Sequence, residues 1–195
     1  MISIAAALAA ARNPIVPRVV STPAGLTVTL PAKVLQHDDV RKQLRSGLTT
    51  TFLVHVAAID RGGHELRGGA SISVRYDLWD EKYIVTTIDG AGHESERNVA
   101  SHAQLLAVWT TEPLLVLRAQ GAAFSAPANV TIEVVPFSRD EEADARRWLS
   151  QPAHGNAANG SGIVPESRLL EFIVGTSVRR RPLLEFHWRV AVERP

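Results

Sequence analysis

Apolar and polar residues alternate with a period of two along several stretches of the chain; the cleanest alternation is at 184–193, and the central stretch is 70–90. Its first half carries an apolar residue at every second position, which is typical of a half-buried β-strand. These residues are Ile72, Val74, Tyr76 and Leu78. A polar corner at 80–82 leads to a second run, 83–88, that is rich in β-branched and aromatic residues. The pattern predicts a β-hairpin at the middle of the domain.

Further strands are predicted where the alternation recurs. Residues 49–59 carry apolar groups on both faces, which indicates a central strand. The other predicted strands are 18–21, 25–30, 114–117, 129–135 and 184–193. We expect the following side chains to be mostly buried: Phe52, Val54, Ile72, Val74, Tyr76, Val130, Ile132, Phe186, Trp188 and Val190.

Short helices are predicted in the connections between these strands. Residues 31–45 carry acidic residues early and basic residues late, followed by Gly47. This polarity predicts a short surface helix with a glycine stop. Asn98 is a suitable cap for a second helix at 99–109. Two more helices are predicted, at 138–149 and directly after Pro165.

Loops complete the pattern, because 60–69 is rich in glycine and 89–97 is polar. The strands are irregularly spaced, so a βαβ arrangement is not expected, and no internal repeat is visible. The sequence therefore predicts an all-β or α+β fold: an antiparallel β-sandwich-like domain with short helices in the connections.

The chain of 195 residues, of which 45% are hydrophobic, is long enough for one domain with a substantial core. We expect a signal-like or extended N-terminal segment at 1–17 and a single β-rich domain at 18–195. The apolar run 2–11 resembles a signal peptide core but lacks a positive start, so a docked helical N-terminus is the alternative. No stretch reaches the length of about 20 residues that a transmembrane helix needs. The Gly/Asn-rich stretch 151–162 predicts a flexible loop.

The net charge and the absence of cysteine exclude several classes of partner and site. The net charge is +1, and the basic cluster Arg179–Arg181 lacks interleaved aromatic residues, so no nucleic-acid partner is expected. The absence of cysteine excludes disulfides, thiolate zinc sites and a cysteine nucleophile. No phosphate-binding glycine loop or nucleophile elbow is present, and Ser161 lies in the predicted flexible loop.

Histidine and carboxylate residues are the remaining candidates for chemistry. His93-Glu94 and His64-Glu65 each lack the second histidine of a helical zinc motif. The carboxylates near the central hairpin are expected to solvate a turn and blunt a strand end, with calcium binding between loops as the alternative; they are Asp77, Asp80, Glu81 and Asp89. The four tryptophans could form a binding platform, but most are expected to fill the core and the seams between sheet and helices. We therefore assign no catalytic, cofactor-binding or metal-ligating residue and expect no cofactor.

Three motifs occur in a fixed order: L-R-S-G-L at 44–48, R-Y-D-L-W-D-E at 75–81 and L-E-F-H-W-R at 184–189. This order resembles a family of small exported proteobacterial β-rich proteins that is defined only as a domain of unknown function. The resemblance covers 25–150 and the last strand, although the N-terminal run departs from the family's signal peptide. The family has no assigned catalytic residues, so the resemblance implies export but transfers no site.

These observations favour a non-catalytic, periplasmic or otherwise envelope-exported protein, whose β-sandwich binds or scaffolds an unidentified partner. One alternative is a hydrolase with a site at His93, Glu94 and the neighbouring acidic residues. Another is a cytosolic adaptor that pairs a free sheet edge with a partner strand.

Overall fold

The computed structural model describes residues 15–124, 126–136 and 182–194. In these ranges the chain forms two β-sheets and three short helices, which confirms the predicted strand-rich, sandwich-like fold. The strands are β1 (Arg18–Thr22), β2 (Gly25–Thr29), β3 (Thr50–Ile59), β4 (Glu65–Asp77), β5 (Lys82–Ile88), β6 (Glu94–Val99), β7 (Leu114–Arg118), β8 (Ala128–Pro136), β9 (Leu184–Val190) and β10 (Val192–Glu193). The helices are α1 (Ala32–Gln36), α2 (Asp38–Arg45) and α3 (His102–Thr111).

The larger sheet has six antiparallel strands in the order β6-β5-β4-β3-β8-β9. The predicted central hairpin is β4–β5, with Tyr76 opposite Tyr83. The predicted central strand is β3, which pairs with β4 on one side and β8 on the other. Strands with two neighbours are where apolar residues on both faces are expected.

The smaller sheet has the order β10-β1-β2-β7. The pairs β1–β2 and β2–β7 are antiparallel, whereas β1 and β10 run parallel. Only Ala191 separates β9 from β10, so the chain passes from the larger sheet to the smaller one at that residue. An ion pair between Arg18 and Glu193, 2.6 Å long, reinforces the β1–β10 contact.

The core lies between the two sheets and receives apolar side chains from all three helices. Trp109 of α3 packs edge-on against Phe52 at a centroid distance of 4.8 Å. Its indole Nε1 donates a hydrogen bond to the carbonyl oxygen of Pro31 at 3.0 Å. This bond satisfies the polar group of a buried aromatic side chain.

The helix predicted at 31–45 is two helices, whose charged residues are exposed at the surface and whose apolar residues are buried. His37 has an extended backbone, with ψ 135°, and separates α1 from α2. The break changes the direction of the chain, so that both helices contribute to the core. The buried residues are Val34, Leu35, Val40 and Leu44.

The start predicted for the second helix is wrong, because Asn98 lies in β6. The helix begins at His102, and the hydroxyl of its cap Ser101 accepts a hydrogen bond from the Gln104 backbone N–H at 3.2 Å. The predicted polar loop 89–97 contains most of β6, an edge strand in which only Val99 is buried. Such a strand has no apolar alternation for a sequence pattern to detect.

The predicted loop 60–69 is also shorter than expected, since β4 starts at Glu65. Gly68 is a strand residue, and a Cβ atom there would lie 2.3 Å from the carbonyl oxygen of Val116. The glycine allows β7 to approach the backbone of β4. From sequence alone, a glycine in this role looks the same as a glycine in a flexible loop.

Most of the residues predicted to be buried are so, including Phe52, Val54, Val130 and Ile132. Side chains of the edge strand β9 alternate between half-buried and exposed, so the predicted inward face is right but less covered than expected. Tyr76 is also only half-buried, and Leu78 is 62% exposed. The predictions for 1–14, 138–149, 151–162 and the helix after Pro165 lie outside the described residues.

Candidate functional site

Two turns of the six-stranded sheet share the sequence I-D-x-x-G-H-E, at 59–65 and 88–94. This short repeat corrects the expectation of no internal repeat. In the first turn, Asp60 Oδ1 accepts the backbone N–H of His64 at 2.9 Å, and Oδ2 lies 3.2 Å from its Nδ1. In the second, Asp89 Oδ1 accepts the N–H of His93 at 2.9 Å, and Oδ2 lies 3.3 Å from Nδ1.

The aspartates of these turns therefore organise the backbone. The hydrogen bond from the His64 backbone N–H is the main reason that the pKa of Asp60 is lowered. The glycine before each histidine has a positive φ, 84° at Gly63 and 82° at Gly92, which is the conformation that glycine adopts without strain. The repeat thus encodes a turn geometry.

The turns do not bring the predicted histidines and carboxylates into one cluster. Along β4, Ile59 lies opposite Glu65 and Ile88 opposite Ser71, six residues apart, which at about 3.3 Å per residue is roughly 20 Å. His64 and His93 are 78% and 82% exposed. Asp77 lies at the opposite end of β5 from Asp89. In the three described ranges, no three His, Asp or Glu residues form a group that could hold a metal ion.

A different group of titratable residues lies on the face of the six-stranded sheet that points away from the core. His55 of β3 and Glu133 of β8 approach with Nε2 and Oε1 3.5 Å apart. On β9, His187 lies 3.2 Å from the Thr131 hydroxyl and 3.3 Å from Glu185. Sequence analysis missed this group because its members are distant along the chain, and strand register alone places them together.

His55 is the more enclosed of the two histidines in this group. Its side chain is 28% exposed, against 64% for His187, and Nε2 is buried without a well-aligned hydrogen bond. Burial lowers the pKa of His55 below its ordinary value of 6.5, and the smaller effect of the Glu133 carboxylate opposes that shift. Neutral imidazole is therefore the favoured form in the folded protein.

We expect His55 to make the protein less stable in mild acid. When the pKa of a histidine is lower in the folded state, its protonation does not reduce stability at pH values above the pKa of the unfolded state, which is 6.5. Stability then falls as the pH drops below that value toward the folded-state pKa, because the unfolded state binds the proton first. Thermal melts from pH 8 to pH 5 should show a smaller loss for His55→Leu than for the wild type. Burial also lowers the pKa of His102, but that residue contributes to the acid sensitivity of both proteins. Equal losses in the two proteins would therefore contradict the assignment to His55.

The β4–β5 turn presents an exposed aromatic residue, an exception to the expectation that most tryptophans fill the core. Trp79 is 96% exposed, whereas Trp109 is buried and Trp188 stacks on Phe186. The turn itself is well defined. Asp77 Oδ1 accepts the backbone N–H groups of Trp79 at 2.9 Å and Asp80 at 3.3 Å, and Lys82 pairs with Asp80 at 2.6 Å.

Two leucines extend this exposed apolar surface. Leu78 is 62% exposed and packs against Gly47, where a Cβ atom would lie 3.2 Å from Leu78 Cδ1. Leu48, the next residue, is 39% exposed. We call Leu48, Leu78 and Trp79 the hairpin-tip patch. The polar sequence around Trp79, D-L-W-D-E, was the available sign that this tryptophan lies in a solvent-facing turn.

Other residues singled out in the sequence fall elsewhere. Glu94 and Glu96 are exposed on β6. Trp148, Ser161 and Arg179–Arg181 lie outside the described residues. Among the helices described, none has both the length and the apolar character needed to cross a membrane.

Comparisons with protein-family models, curated proteins and solved structures each gave no match. The resemblance to exported β-rich proteins of unknown function therefore stays a prediction. A functional assignment therefore rests on the strand-rich fold and the surface geometry of this chain.

Proposed function

We propose that this chain is a non-catalytic bacterial envelope protein, whose β-sandwich binds or scaffolds a protein partner through the hairpin-tip patch. The observation that carries the proposal is the 96% exposure of Trp79 on a turn that is fixed by hydrogen bonds. Tryptophan is enriched among the residues that dominate binding energy at protein interfaces.

The local structure supports this role for Trp79. A large apolar side chain exposed to water gains free energy when a partner covers it. Because Asp77 already holds the turn, binding loses less conformational entropy than it would with a disordered loop. Leu78 and Leu48 widen the apolar area beside the tryptophan.

The envelope location rests on the apolar run 2–11 and on the resemblance to exported proteins. The hydrolase alternative at His93 and Glu94 stays a prediction. In the described structure His93 bonds to its own turn through Asp89, so the geometry gives more support to a binding role.

Photo-crosslinking in bacterial cells tests both parts of the proposal. A benzophenone amino acid at position 79 should give a discrete protein adduct in the periplasmic fraction. The same probe at position 64, an exposed residue at the other end of β4, should not. Trp79→Ala should abolish co-purification of that partner without lowering the melting temperature, because the side chain it removes is almost fully exposed.

The outcomes separate binding from export. An adduct confined to the cytosol would keep the binding role and reject the envelope location. Adducts of equal yield at 79 and 64, or no adduct at either position, would contradict the hairpin-tip patch as the contact surface.

A further inference from the structure

Strand β6 forms one edge of the six-stranded sheet and is open to solvent. It pairs with β5 alone among the described strands. Four of its six residues are exposed and Arg97 is half-buried, whereas Val99 is buried. Strands of this kind carry a row of backbone N–H and C=O groups that another strand can pair with.

The hydrogen-bond alternation identifies the outward backbone groups. Asp89 N donates to His93 O at 3.1 Å, so these two residues form a bonded pair at the start of the ladder. Bonded and non-bonded pairs alternate along an antiparallel ladder, so Thr87–Ser95 and Val85–Arg97 are bonded pairs as well. It follows that three residues of β6 direct their N–H and C=O groups away from β5: Glu94, Glu96 and Asn98.

Side chains give this edge a negative charge on one face. Glu94 and Glu96 are two residues apart, so they project from the same face of the sheet, and both are exposed. Among the described residues, Glu96 accepts a long hydrogen bond, 3.4 Å, from the Thr86 hydroxyl. Arg97 projects from the other face and pairs with Glu112 after α3 at 2.5 Å. Arg97, the one basic residue of β6, is therefore already paired, on the face opposite to the two glutamates.

We propose that β6 binds an extended, basic peptide segment as a seventh strand of the sheet. Lysine or arginine at alternate positions of that segment faces Glu94 and Glu96, and its backbone pairs with the outward groups of the same residues. The two carboxylates repel acidic strands and keep apolar strands from aggregating on the edge, so the charge selects the partner. This surface is separate from the hairpin-tip patch, and the proposal does not depend on the role of Trp79.

The test uses the full chain and a fluorescein-labelled, eight-residue peptide that alternates lysine with threonine. Fluorescence anisotropy should show binding at least about tenfold tighter than for the peptide with glutamate in place of lysine. The double variant Glu94→Lys/Glu96→Lys should reverse this preference. Failure of the lysine peptide to bind, or the same preference in the double variant, would overturn the proposal.

Two variants at one position separate strand pairing from simple charge attraction. Glu96→Gln removes a charge but keeps the outward N–H, so it should weaken binding by a few fold. Glu96→Pro also removes that N–H, which makes no bond to β5, and proline is tolerated at such edge positions. It should abolish binding while the melting temperature stays close to that of Glu96→Gln. Equal weakening by the two variants would show that the backbone edge takes no part in binding.

Discussion

Gly25→Ala should be among the most destabilising single substitutions in this protein. A Cβ atom at this position would lie 1.9 Å from the Leu117 carbonyl oxygen and 2.7 Å from the Ala119 nitrogen. Both neighbours are backbone atoms of β7 and its extension, so no side-chain rotation relieves the clash. Gly25 also has a φ of +142°, which other residues rarely adopt. Overpacking and backbone strain together should cost roughly 4 kcal/mol.

Urea denaturation measures this loss, and Gly63→Ala is the matched control. Gly63 also has a positive φ, 84°, but a Cβ atom there meets no other atom within 4 Å. Its substitution should therefore cost only the strain of the left-handed conformation, about 1–2 kcal/mol. Equal costs at the two positions would mean that β2 and β7 do not approach as closely at Gly25 as the structure shows.

Trp109→Ala should destabilise the protein by about 3–5 kcal/mol, the usual cost of removing a buried aromatic side chain. The substitution leaves a cavity beside Phe52 and removes one of the hydrogen bonds that the Pro31 carbonyl accepts, the other coming from the Val34 backbone N–H. Because typical domains are stable by about 5–15 kcal/mol, the variant should melt at a much lower temperature.

Two comparisons make this prediction specific. Trp109→Phe retains most of the apolar contact but loses the bond to Pro31, so it should cost about 1–3 kcal/mol. Trp79→Ala should have almost no effect, because Trp79 is 96% exposed. A similar loss for Trp79→Ala and Trp109→Ala would contradict the assignment of one tryptophan to the surface and the other to the core.

Sequence analysis found β3 from its two apolar faces, and it found several other strands because one face is buried and the other is not. β2, β8 and β9 alternate because the inner side chains touch the core and the outer ones do not. The same reasoning fails for β6, where only Val99 reaches the core. It also fails at Gly68, whose role depends on the approach of Val116 from a distant part of the chain.

The candidate site was harder to predict for a related reason. His55 and Glu133 are 78 residues apart in the chain, and only the pairing of β3 with β8 brings them together. Trp79 was not distinguished from the other tryptophans, most of which are expected to be buried. Trp79 is exposed because it lies in a polar turn, where Asp77 accepts a hydrogen bond from its backbone N–H and the indole remains in solvent.

The parallel pairing of β1 with β10 has a consequence for synthesis. Val19 lies opposite Val192, so β1 pairs with a strand that is translated long after it. A contact between such distant residues carries a large loop-closure cost and forms slowly. The smaller sheet therefore acquires its fourth strand only after residues 192–193 have been translated and released, and until then β1 lacks this neighbour.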